Sequence, residues 1–91
     1  MENGNRILIE DCCRYYSIET SFVKTLGEYG LIELEYISEA YFISHEQLSL
    51  LERYMHLHYD LDINMEGIEA ISHLLEKVET LQAELRALKA V

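Results

Sequence analysis

Proline is absent from this chain, glycine occurs only at Gly4, Gly27, Gly30 and Gly67, and the two cysteines are neighbours, Cys12 and Cys13. With no proline and no Ser/Gly-rich or low-complexity stretch, nothing marks a linker. No internal repeat divides the 91 residues either, so a single domain is expected. The short tether between the cysteines strains any disulfide between them, and a reducing cytoplasm is the expected compartment. No run approaches the roughly 20 apolar residues that span a bilayer. Residues 1–9 also lack the basic stretch and long apolar run of a signal peptide. Positive charge is scarce: 7 Lys+Arg stand against 17 Asp+Glu, a net charge of −10. Such a balance weighs against nucleic acid, whose binding is driven by basic side chains that displace phosphate counterions.

Apolar material is plentiful, at 49% hydrophobic and 10% aromatic residues. Disorder requires high charge together with low hydrophobicity, and only the charge is present. A domain of this size buries roughly 60–65% of its unfolded surface and is marginal alone, which favours pairing with a second chain.

The order of elements follows from periodicity. Residues 1–5 read as a flexible start and residues 6–9 as an extended entry. A helix fits 10–16, with Glu10 and Asp11 at its positive end. After a turn at Ser17 and Ile18, a second helix covers 19–29, where Phe22, Val23, Leu26 and Tyr29 recur at the spacing of one buried face. Gly30 stands where a left-handed helix terminus is expected. Two short helices across a tight turn suggest a helix-turn-helix. The period then changes to two: Ile32, Leu34 and Tyr36 alternate with Glu33, Glu35 and Ile37, and Tyr41, Phe42 and Ile43 follow. This predicts a two-stranded hairpin, a wing beside the helix-turn-helix. Tyr41 and Phe42 are expected in the core.

Ser44-His45-Glu46-Gln47 has the pattern of a capping box. The helix behind it is predicted to run to about Tyr59, with Leu48, Leu51, Tyr54, Met55 and His58 on one face. Residues 60–63 form a break, and Asn64 caps a last helix that, at about 1.5 Å per residue, reaches about 40 Å. In it Ile71, Leu74, Val78, Leu81, Leu85 and Leu88 recur at alternating spacings of 3 and 4, the seam of a coiled coil. Met65, Ile68 and Ile71 are expected to fold onto the domain's own core, and the seam from Val78 onward to meet a second copy. The expected organisation is thus residues 6–63 as a winged helix-turn-helix and 64–91 as a dimerisation helix, a mainly α fold.

Helix-turn-helix, wing, helix and long coiled-coil helix, in that order, resemble the MerR-type winged-helix family. Locally the likeness rests on Gly30-Leu31-Ile32, on Tyr41-Phe42 before a capped helix, and on the 61–68 stretch Leu-Asp-Ile-Asn-Met-Glu-Gly-Ile. Typical DNA-binding members follow Gly-Leu-Ile with a proline and an arginine and carry another arginine after the wing tyrosine. Leu34, Tyr36 and Phe42 stand there instead, so the phosphate-contacting arginines are missing. The chain is more similar to a smaller branch, the CbpM-type chaperone modulators. That resemblance implies a dimer that binds and restrains the J-domain of a DnaJ-type co-chaperone.

Charge by segment bears on the choice between DNA and protein. Residues 10–31 hold Arg14 and Lys24 against Glu10, Asp11, Glu19 and Glu28, a net of −2; residues 32–44 hold Glu33, Glu35 and Glu39 with no base, a net of −3. The second helix would present Thr20, Ser21, Lys24, Thr25 and Glu28 outward, and one lysine supplies little affinity for phosphates. The same acids suit a basic protein partner, and J-domains typically present a basic helix. The expected partner-binding residues are therefore Lys24, Glu28, Glu33, Glu35, Tyr36 and Glu39. A DNA-binding regulator is the alternative.

Other chemistry has little footing. Cys12 and Cys13 point about 100° apart on a helix, and one is expected buried and the other incidental. His56 with Asp60 and His58 with Asp62 have i, i+4 spacing, but a zinc site needs three or four ligands, and hydrogen-bonded structural histidines are the better reading. No phosphate loop or nucleophile motif is present, so neither a catalytic site nor a cofactor is expected.

Overall fold

The structure is a computed structural model that describes residues 5–90. The expected flexible segment, 1–5, lies outside the described residues except for Asn5, whose carbonyl accepts the His45 N–H at 2.8 Å. The elements run in the order β1 (Arg6–Leu8), α1 (Ile9–Tyr16), α2 (Thr20–Glu28), β2 (Leu34–Ile37), β3 (Ala40–Ser44), a 3-10 turn (His45–Gln47), α3 (Leu48–Met55), a π-helical turn (His56–Asp60) and α4 (Met65–Lys89). This is the mainly helical, winged helix-turn-helix architecture expected from the sequence, with its long last helix.

Local chemistry sets most of the boundaries. Both helices of the helix-turn-helix end in the same backbone motif. After α1, Ser17 takes a left-handed φ of 60° while Ile18 N–H bonds to the Cys13 carbonyl. After α2, Gly30 takes a φ of 75° while Leu31 N–H bonds to the Leu26 carbonyl. Such closures satisfy carbonyls that the helix leaves free. At the start of α4, Asn64 Oδ1 accepts the Gly67 N–H at 2.8 Å, the expected cap.

The sheet differs from the expected two-stranded wing. It has three strands in the order β1-β3-β2, with Arg6 opposite Ser44 and Leu8 opposite Phe42 on one side, and Leu34 opposite Ile43 and Tyr36 opposite Tyr41 on the other. Pairing across more than thirty residues has no local signature, so the extended entry read only as a lead-in. It also lets α1 begin at Ile9, one residue early, directly from the strand. The turn between β2 and β3 is Ser38-Glu39, both at positive φ (52° and 64°), as two-residue hairpin turns of the primed type require.

Two further expectations are corrected. Ser44 does accept a backbone N–H, but from Glu46, and Gln47 does not reach back to complete a capping box. Its Oε1 accepts the Glu33 N–H at 3.0 Å and so ties the entry of the wing to the start of α3. The helical run reaches Asp60, close to the expected end near Tyr59, but beyond Met55 it widens from α to π geometry.

One core cluster joins all layers: Ile9, Cys12 and Cys13 from α1, Phe22, Val23 and Leu26 from α2, Leu31 and Ile32, Ile43 from β3, Leu51 and Tyr54 from α3, and Ile68 from α4. Hydroxyls stitch its rim. Tyr16 donates to Glu52 at 2.6 Å, Tyr29 to Glu66 at 3.1 Å and Tyr54 to Ser72 at 3.4 Å. The latter two hold the first turns of α4 against α2 and α3. No helix among the described residues is long and apolar enough to cross a membrane.

The Asn64 cap fixes where α4 leaves the core. Asn64→Ala should lower unfolding free energy by about 1 kcal/mol, measured as a lower urea midpoint at fixed protein concentration; an unchanged midpoint would show that the cap contributes nothing.

Candidate functional site

The face formed by α2 and the wing is set by strand alternation. Residues directly opposite in the register share a side of the sheet, so Leu34, Tyr36, Tyr41 and Ile43 lie on one side and Leu8, Glu35 and Phe42 on the other. Ile43 is fully buried on the first side. Further along the hairpin that side runs past the core, where Tyr36 is 62% and Tyr41 38% exposed. The expectation that Tyr41 is core is thus corrected: the hairpin reaches beyond the helices that would cover it. Phe42 is half-buried on the opposite side.

The two tyrosine rings pair across the strands, with centroids 4.7 Å apart and planes inclined at 51°. Lys24 of α2 places Nζ 5.5 Å from the Tyr41 ring centroid, within the range of a cation–π contact. Between α2 and the wing runs an open groove of about 260 Å³, lined by Lys24, Gly27, Glu28, Leu34 and Tyr41. Gly27 has a steric reason to be glycine, since a Cβ there would sit 2.8 Å from Leu34 Cδ1.

Of the six residues expected to bind a partner, the structure brings Lys24, Glu28 and Tyr36 to this side. Glu35 lies on the other side and is engaged by Arg6 Nε, so the wing's acidity is partly answered from β1. Reading 32–44 as a segment without a base missed this, because Arg6 arrives only through the β1–β3 pairing. Glu33 and Glu39 are exposed, the first at the wing's entry and the second at its tip. Thr20 and Thr25 are only half exposed, and Thr25 Oγ1 donates to the Ser21 carbonyl, leaving Ser21, Lys24 and Glu28 as the exposed outer positions of α2.

A second unusual surface is α4. Ile68 is fully buried and Ile71 half-buried, but Leu74, Val78, Leu81, Leu85 and Leu88 are all exposed, Leu81 by 62% and Leu88 by 73%. The row expected as a coiled-coil seam is therefore left in water by this chain alone.

The remaining candidates are structural. Both cysteines are buried, where one was expected to be incidental. The short α1 is packed on two sides, so positions 100° apart both face the core. Burial pushes the Cys12 thiol up, and burial, then Cys12 and Glu10, push Cys13 up to about 11. That is the reverse of an activated nucleophile. His56 Nδ1 pairs with Asp60 at 2.8 Å, but His58 turns from Asp62 to the Ile63 carbonyl at 3.0 Å and stacks on Phe22, with centroids 4.7 Å apart. No cluster of three or more metal-ligating side chains stands among the described residues.

A family model described as MerR HTH family regulatory protein matches residues 7–90. The chain belongs to this family. The match takes in all four helices and nearly the whole sheet, so the MerR-like resemblance holds over the architecture as well as over its local motifs. No curated protein and no solved structure matches the chain. Within the MerR family, the α2–wing side is the side on which an acidic balance matters most, because a helix-turn-helix that reads DNA places its second helix in the groove.

The buried thiols yield a pH dependence. The Cys13 thiol ionises near 9.0 when unfolded and near 11 when folded. Its contribution to stability is whole below pH 9 and is lost as pH rises through about 11, since unfolding then releases a proton. Across that window the Tm of the natural chain should fall more steeply than that of Cys13→Ala; equal slopes would contradict the assignment.

Proposed function

We propose that this MerR-family chain is a non-catalytic regulatory module that pairs with a second copy through α4 and binds a basic protein domain through the α2–wing face. The J-domain of a DnaJ-type co-chaperone is the partner that the CbpM-type resemblance suggests. The observation that carries the reading is the charge of that face. Glu28, Glu33 and Glu39 are exposed on and around it, and its one lysine is occupied over Tyr41. A DNA phosphate brought there would meet mostly carboxylates, whereas a basic helix would meet complementary charge, which speeds association and rejects wrong partners.

Pairing follows from α4. Five exposed aliphatic side chains in one row on a 25-residue helix are a contiguous apolar stripe, and such stripes mark association surfaces. Their 3-and-4 spacing is that of helices packed side by side.

Titration of the purified J-domain from the same genome should give a Kd in the micromolar range or tighter, weakening as salt rises. Glu28→Lys with Glu39→Lys should slow association several-fold. No binding in low salt would remove the J-domain assignment, and a salt-sensitive complex with DNA from the chain's own upstream region would replace it with DNA regulation. Separately, Leu81→Asp with Leu85→Asp should convert a dimeric mass in light scattering to a monomeric one; an unchanged mass would contradict the pairing surface.

A further inference from the structure

The α2–wing groove holds a lysine and a glutamate that do not pair with each other. Lys24 and Glu28 are four residues apart on one helix, within reach of an ion pair. Yet Lys24 Nζ lies over the Tyr41 ring, and among the described residues the Glu28 carboxylate makes no hydrogen bond or ion pair although Glu28 lines the same groove. The site therefore offers a tyrosine face that holds a cation beside a carboxylate that lacks one.

We infer that Tyr36, Tyr41 and Glu28 form a receptor for an arginine side chain of the basic partner, and that Lys24 is an internal cation that occupies this receptor in the free protein. The inference rests on the protein-binding reading above and gives it an anchor. An ammonium is a compact point charge, and it uses only the ring. A guanidinium is planar, stacks on aromatic faces and offers a fork of N–H donors to a carboxylate, so it can use Tyr41 and Glu28 together. The groove of about 260 Å³ has an apolar floor at Leu34, against which the methylene stem of an arginine can lie. Gly27 keeps that floor open, since a side chain there would crowd Leu34. Tyr36, 62% exposed and inclined at 51° to Tyr41, supplies a second ring against the first.

The two roles of Lys24 predict opposite signs. As a phosphate contact, its loss would weaken DNA binding and leave an arginine ligand unaffected. As an internal plug, its loss frees the ring and removes a like charge, so a basic ligand binds more tightly. An exposed cation–π contact accounts for roughly a two- to five-fold change in affinity.

The test uses the full chain with labelled tyrosine rings, titrated by NMR with a short blocked helical peptide of arginine and alanine and with its lysine-for-arginine twin. The expected result is saturable shifts at the Tyr36 and Tyr41 rings and none at the exposed Tyr15 and Tyr59. Affinity should rise roughly two- to five-fold in Lys24→Met and fall by a similar factor in Tyr41→Leu and in Glu28→Gln, with the arginine peptide ahead of the lysine peptide. Should Tyr41→Leu fail to fold, Lys24→Met still decides, because it predicts a gain. Equal or weaker binding by Lys24→Met, equal affinity for the two peptides, or shifts spread over all exposed tyrosines would overturn the receptor. If the arginine peptide behaves as expected while the J-domain does not bind, the receptor stands and the J-domain assignment falls. If the J-domain binds but Lys24→Met, Tyr41→Leu and Glu28→Gln leave its affinity unchanged, the receptor falls and the assignment stands.

Discussion

The rest of this structure depends on the burial of Ile68. It is the one residue of the 25-residue α4 that is fully buried, and it shares a core with Ile9, Leu26, Ile43 and Leu51 from every other layer. Burying such a side chain contributes about 1.5–3 kcal/mol, and the Asn64 cap, Tyr29–Glu66 and Tyr54–Ser72 hold it in place. Ile71 and Leu75 remain half-buried against the domain, and the rest of the apolar row is exposed. From Leu74 to Leu88 the apolar row is directed away from the domain. The same helix whose first turns close a small core thus leaves an apolar row in water, the surface through which a second copy is proposed to pair.

The other consequence of that core is the wing. Ile43 and Leu34 anchor the hairpin beneath α2, so the same side of the sheet carries Tyr36 and Tyr41 out past the helices. Local steric and electrostatic choices then define a face: glycine at 27 so that Leu34 can approach, lysine at 24 over the tyrosine ring, and glutamates at 28, 33 and 39 around them. In a helix-turn-helix these are the positions that meet a ligand. Here one lysine, held over the Tyr41 ring, stands among three exposed glutamates, the reverse of the charge balance that phosphate recognition needs.

Much of this was legible in the sequence where the signal is local. The buried face of α2 followed from Phe22, Val23 and Leu26, its end from Gly30, the start of α4 from Asn64, and the exposed seam from a regular spacing of leucines. What could not be read depends on distant partners. β1 pairs with β3 through Arg6 and Ser44, which are far apart in sequence, and only that pairing brings Arg6 to Glu35. Gln47 matched a capping box, yet the Glu33 N–H competed for its oxygen. Burial of both Cys12 and Cys13 depends on how many elements surround α1, and exposure of Tyr41 on how far the hairpin outreaches α2. For the site, charge and residue type were readable; the side of the sheet on which each residue stands was not, and this separates Glu35 from Lys24, Glu28 and Tyr36.

On the proposed reading, the α2–wing face of this MerR-family chain meets a protein and not DNA. The most direct measurement is a map of backbone amide shifts over the whole chain, recorded once with the J-domain and once with duplex DNA from the upstream region. The J-domain is expected to move the amides of α2 and of β2 through β3 and to leave the distal α4 row unchanged, while DNA at the same concentration moves neither. Shifts of Ser21, Lys24 and the wing amides on adding DNA, with none on adding the J-domain, would contradict it.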